Sequence, residues 1–467
     1  MDKNGWEDLF IGGAKGQAGQ IYLQNENGFL KKESTAITDD LDFEDTAAAF
    51  FDANDDGHLD LMVGSGGNQI DGTSNSFDLR LYLNDGDGNF VKSTLQLPRN
   101  YYNTAVITPY DYDLDGDLDV FVGSRSIVGS YGLSPKHFLL NNDGLGNFKN
   151  VLKSQAPQLA QVGMVTDAHW KDMDKDGVKD LLTVEDWGAI TIFLTKDEQL
   201  TPLATNLDQL NGHWQTLEAT DIDGDGDIDL VLGNRGTNSI YKADSTNVLK
   251  MFVNDFDNNG TIEQIFTTTF KDKDVPIHLK RELTAQLPIL KKQNLQFAAY
   301  AQKSVNDLFP ANKLKRAIKR TVNISESVLA LNEGNNIFQI KKLPTQAQFS
   351  CINDLAILDL NHDGNKDIIF GGNDYALKPQ FSQLDASYGG VLLGNGKGDF
   401  QWLAYQETGL FEKGVITSIK TLTTNTKTPK IIIGINNAPP ALYTCTPPKE
   451  ALDLPLLSAN VSPTLDD

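Results

Sequence analysis

The chain has 467 residues, and 63 acidic against 40 basic side chains leave a net charge of −23. A field of that sign excludes nucleic-acid binding through general attraction to phosphates. No run of about 18 apolar residues appears, so no membrane span is expected, and no signal peptide is visible.

The first segment, DKNGWEDLFIGG (2–13), ends in a short β-favouring run closed by glycine. IYLQNENGF (21–29) follows as apolar strand, turn and aromatic, which is a hairpin signal. TAAAFF (46–51) reads as a strand leading into DANDDGHLDLMVG (52–64). There Asp52, Asn54, Asp56 and Asp60 hold loop positions 1, 3, 5 and 9, with Gly57 at 6 and His58 at 7. Oxygen ligands at that spacing, with a glycine free to take positive φ, let a backbone wrap a hard divalent cation. Position 7 needs only its carbonyl. An EF-hand would place a bidentate Glu at position 12 and open into a helix. Val63 stands there instead, inside a strand.

A second hairpin, LYLNDGDGNF (81–90), precedes strand AVITPY (105–110) and loop DYDLDGDLDVFVG (111–123). This loop offers Asp111, Asp113, Asp115 and Asp119, with Asp117 at position 7. After hairpin FLLNNDGLGNF (138–148), DMDKDGVKDLLTV (172–184) offers Asp172, Asp174, Asp176 and Asp180, with Val178 at position 7. DIDGDGDIDLVLGN (221–234) offers Asp221, Asp223, Asp225 and Asp229, with Asp227. DFDNNGTIEQIF (255–266) offers Asp255, Asp257, Asn259 and Glu263, with Thr261. Beyond LALNEGNNIF (329–338) and LAIL (355–358), DLNHDGNKDIIFGG (359–372) offers Asp359, Asn361, Asp363 and Asp367, with Asn365. Hairpin VLLGNGKGDF (391–400) follows. The last unit, VITSIKTL…KIIIGINN…ALYT (415–444), has strands and no acidic loop.

Asx turns could hold such loops without metal. Six copies would then crowd like charges with no compensation. Flexible oxygen loops favour Ca²⁺ over Mg²⁺, which demands stricter geometry. The all-Asp loops 111–119, 172–180 and 221–229 are expected to bind most strongly, and the Asn-containing 52–60, 255–263 and 359–367 more weakly. The opening segment aligns Gly5 with Gly57 and Asp8 with Asp60, so its first ligand would precede Met1. That suggests a fragment of a longer chain or a misplaced start, with any secretion signal upstream.

One unit is thus strand a, loop, strand b, a variable stretch, then strand c, turn, strand d. Loops starting at 52, 111, 172 and 221 give the period of β-propeller blades. Seven b strands (EDLFIGG, LDLMVGS, LDVFVGS, KDLLTVE, IDLVLGN, KDIIFGG, KIIIGIN) predict an all-β, seven-bladed propeller. Eight blades stay open, because the loop at 255 is either the c–d turn of blade five or the a–b loop of an extra blade. All calcium loops are expected on one face. The expected layout is 1–270 for blades one to five (the first incomplete), 271–325 for a small α-helical insertion, 326–447 for the remaining blades and 448–467 for a tail.

The DxDxDGxxDhhhG and hLNxGxGxF units resemble the FG-GAP/VCBS repeats of integrin-α-type propellers. GMVTDAHWKDMDKDG (163–177), NGHWQTLEATDIDGDGDIDLVLGNRGTN (211–238), FVNDFDNNGTIEQI (252–265) and LDASYGGVLLGNGKGDF (384–400) are similar to bacterial VCBS-repeat proteins. Those often carry an ASPIC/UnbV domain and are related to cartilage acidic protein. No such module is evident here. The resemblance implies calcium and the propeller and leaves the ligand open.

Residues 276–322 are rich in helix formers, with Pro288 and Pro310 dividing them. Ten Lys/Arg against Glu282 and Asp307 give a local surplus of eight positive charges. Two readings stand: a docking surface for an acidic partner or polysaccharide, or a solvated face compensating an acidic propeller. The insertion should sit opposite the calcium loops. The b–c stretches of that face carry Arg125, Tyr131, Arg235, Tyr241, Tyr375, Lys378 and Tyr388, which are either binding anchors or loop packing. Cys351 and Cys445 leave one disulfide or two free thiols open.

No HExxH, GxSxG, Walker or GxGxxG motif occurs. His58 and His362 are expected to face solvent from their loops, and His169 and His213 to pack on a strands. The leading expectation is a non-catalytic, calcium-stabilised propeller that binds a protein or glycan. It would act outside the cytosol: extracellular, periplasmic or on the outer cell surface. The alternatives are a polysaccharide-cleaving enzyme using b–c-face residues, or a structural module of a larger protein.

Overall fold

The computed structural model describes residues 1–68, 76–377, 383–422, 429–446 and 456–459. These form eight antiparallel sheets. Seven follow one another along the chain, and each contains one of the seven apolar runs expected as b strands. The first has three strands, Leu9–Ile11, Gln20–Asn25 and Gly28–Lys32. The second is Asp45–Phe51, Asp60–Ser65, Arg80–Asn84 and Phe90–Lys92. The third is Asn103–Tyr110, Asp119–Ser126, Phe138–Asn141 and Lys149–Asn150.

The fourth sheet is Met164–Lys171, Asp180–Gly188, Ile190–Lys196 and Gln199–Leu203, with Gly212–His213 pairing onto its second strand. The fifth pairs Thr216–Thr220 and Asp229–Gly233 with the distant Val328–Asn332 and Phe338–Lys342. The sixth is Asp354–Leu358, Asp367–Gly371, Gly390–Gly394 and Phe400–Leu403. The seventh is Ile416–Leu422, Lys430–Ile435, Ala441–Thr446 and Leu456–Ala459.

The second strands of sheets two to six are buried along nearly their whole length, as continuous apolar runs between two covered faces should be. An apolar layer fills the space between successive sheets. Met62 and Leu81 of the second sheet meet Val120 and Val122 of the third. Leu182 and Ile192 of the fourth meet Leu217 and Leu230 of the fifth. Ile369 and Val391 of the sixth meet Ile419 and Ile431 of the seventh. The first strands of sheets two to seven pack against one another in chain order.

Buried carboxylates on these first strands tie neighbouring sheets together. Asp45 Oδ2 accepts the Gly13 N–H at 2.9 Å, and Asp167 Oδ2 accepts the Leu217 N–H at 3.0 Å. Asp354 Oδ2 accepts the Ile419 N–H at 2.8 Å and Lys420 Nζ at 3.1 Å. Each crosses a sheet boundary where no strand ladder can. Burial pulls the Asp167 carboxyl up, but His169 beside it holds it below the usual range.

The eighth sheet corrects the expected layout. Its strands run Lys273–Pro276, Glu263–Phe270, Leu249–Asn254 and Ile318–Val322 in order across the sheet. It lies wholly within the connection between the second and third strands of the fifth sheet. The loop at 255–262 is therefore neither a c–d turn of the fifth sheet nor the a–b loop of a further unit in the series. It is the hairpin turn of an inserted sheet. FVNDFDNNGTIEQIF misleads because a hairpin with an acidic turn is written with the same letters in both contexts. The helices Lys280–Gln286, Phe297–Ala301, Val305–Leu308 and Ala311–Arg316 bridge two strands of this sheet.

The helices pack on that loop instead of standing apart from it. Phe256 meets Phe309 with ring centroids 4.5 Å apart, and Lys313 Nζ donates to the Asp255 carbonyl at 2.9 Å. Met251, Val253 and Phe266 of the inserted sheet pack on Tyr131, in the b–c stretch of sheet three, and on Trp187, at the far end of the second strand of sheet four. The loop at 255 thus belongs to that end of the molecule, and the acidic loops do not all share one face. The expected tail is corrected as well. Leu456–Ala459 pairs with Ala441–Thr446 as the fourth strand of the last sheet.

Cys351 and Cys445 are both buried and unpaired, and burial pushes the Cys445 thiol up to about 12. Both thiols should therefore resist a thiol-reactive dye in the native protein, and both should react once denaturant unfolds it. Prompt labelling of either in native buffer would contradict this burial.

Candidate metal centre

All six loops are built alike. The Gly at position 6 donates its N–H to the carboxylate at position 1. The distance is 2.7 Å from Gly57 to Asp52, 3.2 Å from Gly116 to Asp111 and 3.0 Å from Gly177 to Asp172. Gly226 to Asp221, Gly260 to Asp255 and Gly364 to Asp359 are each 3.0 Å. The N–H of residue 7 donates to the side chain at position 5, as from Val178 to Asp176 at 2.8 Å or Thr261 to Asn259 at 2.7 Å. Gly116 takes φ of 106° and Gly177 of 92°, as a left-handed position 6 requires.

Position 4 is left-handed too, a feature the sequence analysis did not find. Asp55, Leu114, Lys175, Gly224, Asn258 and His362 all take positive φ there. Leu114 and Lys175 are unfavourable residues for that region. The signal was present in the Gly, Asn and Asp found at three of the six positions.

The position-9 carboxylate is the buried one, and it has a second duty. One oxygen accepts the N–H of residue 2 of its own loop, and the other accepts an N–H from the c–d hairpin. Asp229 takes Ile222 at 2.8 Å and Asn332 at 2.8 Å. Asp180 takes Met173 at 2.8 Å and Thr195 at 2.9 Å, and Asp367 takes Leu360 at 2.8 Å and Gly394 at 2.9 Å. Asp60 joins Ala53 to Asn84 in the same way, and Asp119 joins Tyr112 to Asn142. In the inserted sheet Glu263 accepts only the first of these, from Phe256 at 2.8 Å. The opening segment repeats the arrangement, with Asp8 accepting the Met1 amino group at 2.6 Å and the Gln24 N–H at 2.8 Å.

Asparagines of the c–d turns then lock loops of adjacent sheets. Asn84 Nδ2 donates to the Met1 carbonyl at 3.0 Å, and Asn142 Nδ2 to the Ala53 carbonyl at 2.9 Å. In the fifth sheet the matching Asn332 Nδ2 instead donates to the Ile228 carbonyl of its own loop at 3.3 Å. Two position-7 side chains lie over turn glycines: a Cβ on Gly86 would stand 2.3 Å from the His58 ring, which corrects its expected solvent-facing place, and one on Gly396 2.3 Å from Asn365 Oδ1.

Four loops bring three carboxylates close enough to hold a cation. They are Asp111, Asp113 and Asp115; Asp172, Asp174 and Asp180; Asp221, Asp223 and Asp225; and Asp255, Asp257 and Glu263, with candidate oxygens within 4.8 Å of one another. The residues fit a cation by a further observation. Asp111 Oδ1, Asp113 Oδ1, Asp117 Oδ1, Asp172 Oδ1 and Asp257 Oδ1 are buried and accept no hydrogen bond. Uncompensated anionic oxygens of this kind are costly. Burial, with neighbouring carboxylates adding to it, raises Asp117 to about 6. Burial also raises Asp119 to about 8, against hydrogen bonds that pull it down.

Loop 255–263 joins this group despite its Asn, because the longer Glu263 supplies the third carboxylate that Asn259 cannot. Loops 52–60 and 359–367 differ, since their Asn is at position 3. Asn54 Nδ2 donates to Asp56 at 3.0 Å and Asn361 Nδ2 to Asp363 at 2.9 Å.

The b–c face carries a different cluster. Arg125, Tyr131 and Arg235, three of the expected anchors, converge on Asp186, which the sequence analysis did not single out. Asp186 Oδ1 accepts from His213 Nδ1 at 2.8 Å and Oδ2 from the Tyr131 hydroxyl at 2.5 Å. Burial disfavours the Asp186 charge, but the His213 bond and both arginines hold the carboxyl well below its usual range. Burial, opposed by the Asp186 bond and aided by the same arginines, pushes His213 below its ordinary value. Trp187 sits beside this pair at φ 61°, edge-on to His213 and stacked on Phe266. Tyr241 meets Phe266 edge-on, Tyr388 stacks on Phe411 elsewhere, Tyr375 is exposed, and Lys378 lies outside the described residues.

With this geometry in place, comparison with known proteins is informative at one level. Residues 1–63, 65–122 and 172–232 match the model of the FG-GAP-like repeat, so the chain carries at least three such repeats. No curated protein matches the chain. Among solved structures, the V. cholerae biofilm matrix protein Bap1 aligns over 99% of this chain and 79% of its own, at 10% identity and a TM-score of 0.35. BBS1N, solved in complex with ARL6DN, aligns over 83% and 87% at 9% identity and a TM-score of 0.28. Both scores are too low to support an argument.

Two substitutions separate the two duties of the loop. Asp229→Ala leaves the Ile222 and Asn332 N–H groups unpaired, and should cost about 2–5 kcal/mol of stability even in chelator. Asp223→Ala removes only the longer, exposed bond from the Asp225 N–H at 3.3 Å, and should matter mainly when divalent cation is present. Thermal melts of both variants, with and without chelator, provide the check.

The pH dependence follows from the raised carboxyls. Asp60, Asp180, Asp229 and Asp367 stand at about 6 and Asp119 at about 8, above the ordinary unfolded value. The folded state therefore binds more protons between these limits. Cation-free protein should lose stability as pH rises from about 4, with most of the loss complete near 6 and the Asp119 share continuing to about 8. Melting temperatures that stay flat or climb over that window would contradict the assignment.

Proposed function

We propose that this chain is a calcium-stabilised β-propeller that binds a protein or glycan outside the cytosol and performs no catalysis of its own. The observation that carries this reading is the set of buried carboxylate oxygens without hydrogen-bond partners at the strand-linking loops. Seven sheets in chain order, joined by apolar layers and by first strands packed side by side, support a seven-bladed ring with the eighth sheet as an insertion. Calcium is favoured over magnesium because the donors are all oxygen and sit in irregular loops. The ligands would be the side chains at positions 1, 3, 5 and 9 and the position-7 carbonyl. Kinship with the ASPIC/UnbV-associated and cartilage-acidic-protein-like groups rests on the phrases quoted above.

The ligand face would be the b–c end, where Arg125, Tyr131 and Arg235 stand on a rigid frame. A polysaccharide-cleaving reading draws on Asp186, His213 and Tyr131 in the same place. In that reading Asp186, held ionised, could not be the general acid, and the acid would have to be Tyr131 or His213, both of which already bond to it.

Calorimetric titration of Ca²⁺ into chelator-stripped protein tests the reading, with the melting temperature followed alongside. Uptake of about one ion for each of the four carboxylate clusters is expected. At a hundredfold excess over Kd each site adds about 2.7 kcal/mol, so the melt should shift strongly upward. No heat and no shift would reduce the loops to metal-free turns.

A further inference from the structure

We propose that the helical insertion is a docking element for an anionic lipid surface, with exposed apolar side chains entering the interface between lysines that meet the headgroups. Lys313 reaches the acidic loop at 255 and Arg320 faces Glu185, but much of the remaining charge there is uncompensated. Glu282 and Asp307, the acids of 276–322, are both engaged at helix starts: Glu282 accepts the Leu279 N–H at 3.1 Å, and Asp307 accepts the Ser304 N–H at 2.9 Å. Arg281, Lys291, Lys292, Lys315, Arg316 and Lys319 are exposed, and none of them forms an ion pair among the described residues. The reading in which this surplus compensates an acidic body gains no support from such side chains.

Exposed apolar side chains flank Arg281, Lys291 and Lys292 along the chain. Leu295 is 82% exposed, Phe297 67%, Ile289 61% and Leu279 52%. They are not signs of a loose segment, because Leu283, Leu287, Leu290 and Tyr300 beneath them form a buried core. Leu295 and Phe297 are held in one patch by Lys280, whose Nζ donates to the Leu295 carbonyl at 2.8 Å and lies 4.4 Å from the Phe297 ring centroid.

Fixed apolar tips between free cations suit a surface that accepts insertion anywhere and repays positive charge, as a headgroup layer does. No helix among the described residues is long and apolar enough to cross a membrane. The strongly acidic remainder of the chain would be repelled, which orients the molecule with the insertion toward the lipid.

Flotation of the full chain with phosphatidylcholine vesicles, with and without phosphatidylglycerol, tests this. Binding is expected only to the anionic vesicles and should weaken with salt. Lys291→Gln with Lys292→Gln should weaken it roughly 25-fold, at about fivefold per lysine. Leu295→Ser with Phe297→Ser should abolish it. All four positions are exposed, so both variants should keep the parental melting temperature. Equal binding to neutral vesicles, no binding, or unchanged binding by both variants would overturn the proposal. So would concentration-dependent self-association, without vesicles, that disappears in the Leu295→Ser, Phe297→Ser variant, because it would make a second copy the occupant.

Discussion

A buried carboxylate at the ninth loop position holds each acidic loop of the serial sheets in place. Asp60, Asp119, Asp180, Asp229 and Asp367 each spend one oxygen on their own loop and the other on the c–d hairpin. The a–b end and the c–d end of a sheet are thereby joined at one point. A buried charge is tolerable when hydrogen bonds satisfy it. Because these bonds are to backbone N–H groups, they fix the chain path and not merely a side-chain contact. The remaining carboxylates of the loop are then displayed around a common centre, where their mutual repulsion calls for a cation.

Much of this was legible in the sequence. The glycine at position 6 and the spacing of the acids announced a tight loop that gathers carboxylates, and seven apolar runs announced one strand in each of the seven serial sheets. Three things were not legible, for physical reasons. The double role of position 9 is invisible because a ligand and a hydrogen-bond acceptor are the same residue type. The inserted sheet looked like part of the series because its hairpin obeys the same local rules, and only long-range pairing from Leu232 to Val328 reveals the nesting. The Asp186 cluster was missed because its members come from separate units: Tyr131 from the third, Asp186 from the fourth, and His213 from a short strand added to the fourth.

The two ends of the sheets are used differently. At the loop end, charges of one sign are gathered and left for an ion to balance. At the b–c end, Asp186 already has its donors in His213 and Tyr131, with arginines nearby. The first end depends on what the solution supplies and the second does not, so the face proposed for recognition is organised by the protein itself. Asp45, Asp167 and Asp354 link the interior of the stack with the same device on a smaller scale: a carboxylate on one sheet and an N–H on the next.

The nesting of one sheet inside another also bears on how the chain assembles. When a chain emerges from its N-terminal end, Thr216–Thr220 and Asp229–Gly233 appear long before their partners at Val328–Asn332. Until the insertion has closed on itself, the fifth sheet presents an unpaired edge, and closing that gap is the most non-local step among the strand pairings of the serial sheets. The inserted unit has its own apolar core around Leu283, Leu287 and Leu308, so it can condense locally and shorten the effective separation. Its acidic hairpin and its helices would then serve as a folding clamp whose early closure brings the two halves of the fifth sheet into register.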